Sequence, residues 1–317
     1  MSALETSARR GTRRLVNLVT RYRYALYIIA GSYIVFLCVL AAVYRLALIL
    51  NRPTPEKHRV QNAASRERRK GHLLVVLGSG GHTSEMLSIL QNLGAEYLNT
   101  RFNRRTWVVS EGDAFSAERA QRFEDWAQRE TSLRVRWDVV TVDRARKIHQ
   151  PLYTAPVSCL WCLWGCVQVL RGTHRDLKST ISEPRRKAGE ITTTPYPDLI
   201  LTNGPATAVV LVLASVLLMF FGLAPIESGA DQGGSMRSIY IESWARVKTL
   251  SLSGRILRFF VGRFLVQWRG LEDVDLTGGA GQGTGDQQTP KAVQSINSDK
   301  MMSMWSKRVE YVGTVVT

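Results

Sequence analysis

The chain has 317 residues, of which 45% are hydrophobic and 21% are charged, so a globally disordered protein is excluded. The formal net charge is +16, but residues 1–70 carry 14 Lys and Arg against 3 acidic residues, whereas residues 71–317 carry 28 against 23. Because most of the excess positive charge flanks an apolar segment, the sequence favours a partner such as anionic lipid over nucleic acid.

The first predicted element is the apolar segment from Ala25 to Leu50, which contains one charged residue, Arg45, near its end. As a helix this segment reaches about 39 Å, enough to cross a bilayer core of about 30 Å with tilt. It is too long for a signal peptide and lacks a small-residue cleavage site after it. We therefore predict a basic N-terminal arm at 1–24, a transmembrane helix at 25–50 and a basic linker at 51–70. Both flanks are basic, so charge alone does not fix the orientation.

Strands and helices alternate through the rest of the chain. The predicted strands are Leu73–Leu77, 106–110, 134–142, Asp198–Thr202, 238–243 and 309–317, and the segment 254–268 predicts a helix leading into one more strand. The predicted helices are about 84–93, 115–130, 155–170 and an apolar helix after 205. Segments 176–197 and 276–300 predict a loop and a disordered insertion. This alternation predicts an α/β fold with a doubly wound, mostly parallel sheet, in one Rossmann-like domain at 71–317.

Two predicted helices also allow a membrane interpretation. The uncharged stretch from Leu199 to Ile226 has the hydropathy of a second transmembrane helix, but it opens as a strand and breaks at a Gly-Pro turn. A strand follows it, so we predict a βαβ crossover whose helix is buried. The helix at 156–170, with Trp161 and Trp164, is interpreted either as interfacial or as part of the core.

The four cysteines, Cys38, Cys159, Cys162 and Cys166, all have apolar neighbours. The C-x-x-C at 159–162 has no second Cys pair or His cluster nearby to complete a zinc site. The sequence therefore predicts no metal and no disulfide, which fits a reducing compartment.

A glycine-rich turn, "GSGGHT" at 78–83, joins the first strand to the first helix of the body. It differs from the dinucleotide-binding G-x-G-x-x-G, since Thr83 is the sixth residue and no acid follows about 20 residues on, and from a P-loop, since Gly-Lys-Ser/Thr is missing. Gly78, Gly80 and Gly81 allow close approach of a ligand, and a helix N-terminus suits phosphate. A pyrophosphate or a sugar hydroxyl remains as the ligand.

Three residues are candidates for the catalytic base. His82 in the glycine turn either binds the pyrophosphate, takes a proton from an attacking hydroxyl, or merely caps the helix. Glu111 and Asp113, at the end of the second strand, are rival bases, and Asp113 is alternatively a helix N-cap.

Other polar residues follow predicted strands and are candidates for binding phosphate or a sugar hydroxyl. Arg144 and Arg146, with Lys147, either pair with pyrophosphate or form a solvated basic face. Asn203 and Gly204, with Pro205, form a second strand-end turn at the same predicted cleft. Glu242 either bonds a sugar hydroxyl or orients Arg246 or the "SLSG" loop. The complete set predicted to bind this phosphate- or sugar-containing ligand is Gly78, Ser79, Gly80, Gly81, Thr83, Arg144, Arg146, Asn203, Gly204 and Glu242.

Five segments occur in the order seen in one known family: "VVLGSGGHTSEML", "DLILTNGPATAVVL", "IYIESWARVKTLSLSGRIL", "FLVQW" and "YVGTVV". The chain resembles the membrane-anchor subunit of the two-subunit UDP-GlcNAc transferase of asparagine-linked glycosylation. That subunit is similar to the N-terminal, acceptor-side half of GT-B glycosyltransferases. The resemblance covers roughly 71–317, apart from loops near 176–197, 227–236 and 276–300.

The resemblance implies a location and a reaction. It places the body on the cytosolic face of the endoplasmic reticulum, and on the nuclear membrane, where it recruits a small soluble subunit that binds UDP-GlcNAc. Together they add the second GlcNAc, β1,4-linked and with inversion, to GlcNAc-pyrophosphate-dolichol, without metal or other cofactor. The C-terminal "VEYVGTVVT" resembles the partner-docking end.

This chain alone is expected to be inactive, because it lacks the expected nucleotide-sugar half. Two other functions remain open, a purely non-catalytic membrane scaffold for the soluble subunit and a complete nucleotide-binding enzyme on a membrane stalk.

Overall fold

The computed structural model describes residues 2–52, 70–146, 150–151, 153–177, 195–204, 206–226, 234–271 and 309–311, with side chains in the first range from residue 21 onward. The chain forms two compact units, 1–49 and 50–317. Most of the predicted basic linker, the insertion at 276–300, Lys147, Pro205 and the C-terminal residues after 311 lie outside the described residues.

The first unit is formed by one helix, α1 (Ser2–Leu50). Its part from Arg21 to Leu50 has a mean hydropathy of 2.5 and exposed apolar side chains, and it is the one helix in the described ranges long and apolar enough to cross a membrane. This candidate span contains the segment predicted from sequence at 25–50.

The second unit is built on a sheet of seven parallel strands. The strands are β1 (Gly71–Val76), β2 (Phe102–Ser110), β3 (Arg136–Val142), β4 (Leu199–Asn203), β5 (Arg237–Ile241), β6 (Arg263–Val266) and β7 (Val309–Tyr311). The helices are α2 (Gly81–Leu93), α3 (Ala95–Arg101), α4 (Ala114–Glu130), α5 (Ala155–Leu170), α6 (Ala206–Phe220) and α7 (Leu252–Leu257), and a 3₁₀ turn spans Arg269–Leu271. The predicted α/β fold with a parallel sheet is confirmed.

The strand order, β3-β2-β1-β4-β5-β6-β7, reverses direction between β1 and β4. Leu74 in the middle of β1 pairs with Thr106 on one side and Ile200 on the other. From β1 the chain winds outward to β3, and it then returns to the other side of β1. In such sheets, ligands bind outside the carboxyl ends of the strands at this switch point.

Helix α6 connects β4 to β5, which pair in parallel, so the predicted crossover is confirmed. The helix is 15 residues long, and most of its side chains are buried, including Leu211, Val212 and Leu218. A helix between two parallel strands is covered by the sheet and its neighbours, which explains an apolar surface all round without a membrane.

The core lies on both faces of the sheet. On one face, Leu73 and Val75 pack with side chains from α2 and α4, including Phe123. In a second cluster, Val212 of α6 packs with Tyr240 and Phe264. Because side chains alternate along a strand, neighbouring residues of each buried strand supply both layers.

A buried ion pair lies within this fold, between Arg105 of β2 and Glu124 of α4, whose side chains are 1% and 0% exposed. Arg105 Nε donates to Glu124 Oε1 over 2.7 Å, and Trp107 Nε1 donates to the same oxygen over 2.7 Å. Arg105 Nη1 donates to Asn99 Oδ1 over 2.7 Å. Both charges are therefore fully hydrogen-bonded, as buried charges must be.

His72, near the start of β1, should make folding sensitive to acid. Its Nε2 lies 2.9 Å from Thr106 Oγ1, and burial, with a contribution from Arg104, lowers its pKa to about 3. The unfolded residue titrates near 6.5, so this group's contribution to stability is complete above about pH 6.5 and is lost as pH falls toward 3. We expect His72→Gln to lose less unfolding free energy between pH 7 and pH 5 than the wild type, by on the order of 1 kcal/mol. Urea unfolding at both pH values measures this, and equal losses would contradict it.

Candidate functional site

An open cleft with a volume of about 100 Å³ lies at the switch point, outside the carboxyl ends of β1 to β4. The turns after β1 and β3, the ends of β2 and β4 and the start of α6 line it. The polar and glycine residues of this lining are Gly78, Ser79, Ser110, Arg144, Arg146, Asn203 and Thr207. Five of the sequence-predicted site residues therefore share one cleft.

The glycine turn ends at Gly80, the N-cap residue of α2, which has φ +64 and provides no side-chain cap. Thr83 is fully buried. Its hydroxyl donates to the Gly78 carbonyl and lies 2.6 Å from Ser116 Oγ, so it stabilises the turn from its buried side. Ser79, Gly80 and Gly81 are exposed and form the other side of the turn. Because no side chain caps α2, its first N–H groups are suited to an anion.

His82, the second residue of α2, contacts the turn after β4. Its Nδ1 lies 3.0 Å from Asn203 Oδ1, and its side chain is 33% exposed. Asn203 is fully buried, and its Nδ2 has no hydrogen-bond partner among the described residues. The structure therefore joins two residues that are 121 positions apart in sequence.

Glu85, which was not predicted from the sequence as a site residue, lies one helical turn after His82. Its Oε1 accepts from the Trp244 backbone N–H and, over 2.6 Å, from Gln267 Nε2, while its Oε2 lies 3.8 Å from His82 Nδ1. Burial alone would raise the pKa of Glu85, but His82 and these donors outweigh burial and lower it. The i, i+3 spacing from His82 was the available sequence signal.

Glu242, after β5, is buried, and its carboxylate holds the "SLSG" loop. Oε2 accepts from the Ser251 N–H and hydroxyl over 3.2 and 3.1 Å, and Oε1 accepts from the Ser243 N–H over 3.3 Å. Gly254 leaves space for this carboxylate, because a Cβ there would overlap Oε2. Burial raises the pKa of Glu242. Of the partners predicted for Glu242 from the sequence, the structure shows the hydrogen bonds to the "SLSG" loop.

The two alternative bases occupy the turn after β2. Asp113 is the N-cap of α4, since its Oδ1 accepts from the Ser116 N–H over 3.1 Å and its Oδ2 from the Ser116 hydroxyl over 2.7 Å. Glu111 is exposed, and its backbone carbonyl accepts from Arg144 Nε over 2.7 Å. The alternative predicted for Asp113, a helix N-cap, is thus observed. Among the described residues, no contact orients the Glu111 carboxylate.

Arg144 and Arg146, after β3, both line the cleft. The contact to Glu111 anchors Arg144 to the neighbouring turn, and Arg146 Nη2 reaches the Gln150 carbonyl over 3.3 Å. Guanidinium groups at the mouth of a cleft suit a phosphate or pyrophosphate, to which they donate in pairs.

Helix α5 starts close to these arginines and has two different faces. Cys162 and Cys166 are buried on one face, whereas Trp161 and Trp164 are 63% and 58% exposed on the other. One face therefore belongs to the core, and the two tryptophans are exposed on the other face.

Gly204 should not tolerate a side chain. Its φ is +91, and a Cβ there would lie 3.0 Å from His82 Cγ and 3.2 Å from Cδ2. We expect Gly204→Ala to cost about 1–2 kcal/mol of stability from the backbone conformation and to displace the imidazole, which lowers activity further. The exposed Gly270, with nothing near its Cβ, provides the control Gly270→Ala. Unfolding temperatures and transfer activities of both variants test this prediction. Equal unfolding temperatures and equal activities of Gly204→Ala and Gly270→Ala would contradict it.

This chain is similar to one known protein family and to several of its members. The family model described as "Oligosaccharide biosynthesis protein Alg14 like" matches residues 73–277. The UDP-N-acetylglucosamine transferase subunit alg14 of Aspergillus fumigatus is 40% identical over 215 residues, covering 58% of this chain and 90% of that protein. The subunit of the same name from Cryptococcus neoformans is 37% identical over 206 residues (65% and 77%), and the human one is 30% identical over 203 residues (63% and 77%). No solved structure matches.

Proposed function

The chain belongs to the Alg14 family, and on that basis we propose that it is the membrane-anchoring, acceptor-binding subunit of a UDP-GlcNAc transferase. The proposed reaction adds the second GlcNAc, in β1,4 linkage, to GlcNAc-pyrophosphate-dolichol during synthesis of the N-linked glycan precursor. A small soluble subunit binds UDP-GlcNAc and completes the enzyme, so the chain is inactive alone.

The proposed location is the endoplasmic reticulum and nuclear membranes, with α1 crossing the bilayer and the α/β unit in the cytosol. The apolar part of α1, Arg21–Leu50, supports the anchor. The exposed tryptophans of α5 support a position of the cleft close to the lipid surface, where a dolichol-linked acceptor is presented.

The observation that carries the acceptor-binding role is the contact of His82 with Asn203 beside the two cleft arginines. In this proposal Arg144 and Arg146 pair with the acceptor pyrophosphate, and the glycine turn and the start of α2 approach the same phosphates. The terminal GlcNAc then lies beside His82.

His82 is the proposed general base. The acceptor 4-hydroxyl loses its proton to the imidazole as its oxygen forms a bond to the anomeric carbon of GlcNAc. The bond from that carbon to UDP breaks, and its electron pair leaves with UDP, which inverts the configuration. His82 is preferred to Asp113 because the Asp113 carboxylate is used as an N-cap, and to Glu111 because that side chain has no described contact that orients it.

Sedimentation tests anchoring and recruitment together. Vesicles are prepared with the full chain or with a chain lacking residues 2–50, and are mixed with the purified small subunit. We expect the full chain to carry the small subunit into the membrane pellet, and the shortened chain to leave both proteins in the supernatant. A small subunit that stays in the supernatant with the full chain would contradict the recruiting role, and a shortened chain that still sediments would contradict the anchor.

A further inference from the structure

Glu85 occupies a position that the proposed reaction leaves unexplained. Its side chain is 8% exposed, although carboxylates are rarely buried unless they are paired. Its two oxygens face different groups: Oε1 accepts from the Trp244 N–H after β5 and from Gln267 after β6, and Oε2 faces His82 Nδ1 at 3.8 Å. Three segments of the chain therefore fix one carboxylate beside one imidazole.

The orientation of His82 follows from its other contact. The Asn203 oxygen that lies 3.0 Å from Nδ1 is an acceptor only, so Nδ1 carries a hydrogen and donates it. In the neutral ring, the lone pair is then on Nε2, which makes no hydrogen bond to any residue that the structure describes. The Cγ–Cδ2 side of the ring packs against Gly204. Nε2 is thus the atom available to a substrate.

We propose that Glu85 is the positioning residue for His82: its carboxylate, 3.8 Å from Nδ1, attracts the ring by its charge while Asn203 accepts the Nδ1 hydrogen, so that Nε2 accepts the proton of the acceptor hydroxyl. This inference rests on the proposed role of His82 as general base. Glu85 touches no substrate, and it acts by stabilising the imidazolium that forms when Nε2 gains the proton. Gln267 and the Trp244 N–H prevent the carboxylate from turning away.

The charges around His82 agree with this geometry. Glu85 faces the ring from its own helix, Asn203 is a neutral neighbour from β4, and Glu242 contributes negative charge from the end of β5. The contact with Glu85 is the main cause that raises the pKa of His82, against the lowering effect of burial. Since the base must be neutral to act, activity falls as pH drops through this pKa, and removal of the Glu85 charge shifts that fall to lower pH.

The test compares Glu85→Gln with the wild type, in the full chain in membranes together with the small subunit. Gln retains the size of Glu and an oxygen for the Trp244 N–H, and Glu85→Asp is a second variant that retains the charge at a shorter reach. The control is Glu118→Gln, which removes an exposed carboxylate from α4. The His82 imidazole is titrated by NMR with histidine-selective labelling and is assigned by its loss in His82→Ala. The pH profile of kcat is measured on the same samples.

We expect Glu85→Gln to lower the pKa of His82, to move the acid limb of kcat to lower pH and to reduce kcat roughly 10- to 100-fold with KM unchanged, a part of the 10²–10⁴-fold that a general base contributes. Glu85→Asp should recover part of both effects, and Glu118→Gln should change neither. An unchanged His82 titration in Glu85→Gln would overturn the positioning role. A lowered pKa with full activity in both Glu85→Gln and His82→Ala would instead overturn His82 as base, and the inference with it.

Discussion

Replacing His82 by Ala is expected to reduce GlcNAc transfer by about 10²–10⁴-fold, the contribution that general acid–base catalysis makes in enzymes. The loss should appear in kcat, because the imidazole receives the proton only as the new bond forms. Recruitment of the small subunit to the membrane should not change, since one side chain at the start of α2 is lost and the sheet stays intact. Initial rates at saturating UDP-GlcNAc, with sedimentation of the small subunit in parallel, measure both.

His174→Ala is the matched control for this variant. His174 is a buried histidine that lies beyond α5, where its described side-chain contacts are with Asp176 and not with Asn203 or Glu85. Its removal reports what the loss of an imidazole costs the fold without a change at the site. Full transfer by His82→Ala with recruitment intact would favour a purely non-catalytic scaffold. A loss equal to that of His174→Ala would assign the effect to stability.

Breaking the buried pair of Arg105 and Glu124 should have the largest effect on stability. Glu124→Ala leaves the Arg105 guanidinium in the core without its carboxylate, and also removes the acceptor of Trp107 Nε1. Losing one partner of a buried ion pair costs about 3–5 kcal/mol. We expect urea unfolding to show a decrease of this size in the free energy of unfolding. Because folded proteins are stable by only about 5–15 kcal/mol, such a decrease can prevent folding.

The same helix provides the control. Glu118 pairs with Arg122 on the exposed side of α4, where the two side chains are 57% and 71% exposed. Because exposed pairs contribute about 0–1 kcal/mol, Glu118→Ala should be close to neutral. The double replacement Arg105→Met with Glu124→Leu should recover much of the loss, since it leaves no unpaired charge. Equal effects of Glu124→Ala and Glu118→Ala would contradict the assignment.

The order of strands and helices was predictable because hydrophobic patterns and glycine turns are local properties. The crossover through α6 is an example, since a strand, a Gly-Pro turn and a following strand outweighed an apolar run with the hydropathy of a membrane span. Helix α3 (Ala95–Arg101) was not predicted. It is seven residues long and packs beside α2 and β2, so its stability comes from tertiary contacts that periodicity does not report.

The candidate site was predictable in its parts and not in its connections. His82, Asn203 and Gly204 were selected because each follows a strand, and the parallel sheet brings such ends to one edge. The partners of Glu85 are 159 and 182 residues away, and nothing in the local sequence pairs it with Trp244 or Gln267. Asp113 shows the converse, because its N-cap role is local and was foreseen as the alternative to catalysis.

One assay tests whether this chain is the acceptor-side part of a two-subunit transferase. Transfer from UDP-GlcNAc to a short polyprenyl-pyrophosphate-GlcNAc is measured with membranes carrying this chain, with the small soluble subunit, and with both. We expect product only when both are present. Transfer by this chain without the small subunit would contradict this expectation and indicate a complete enzyme. Undiminished transfer by the small subunit alone would leave no acceptor-binding role for this chain.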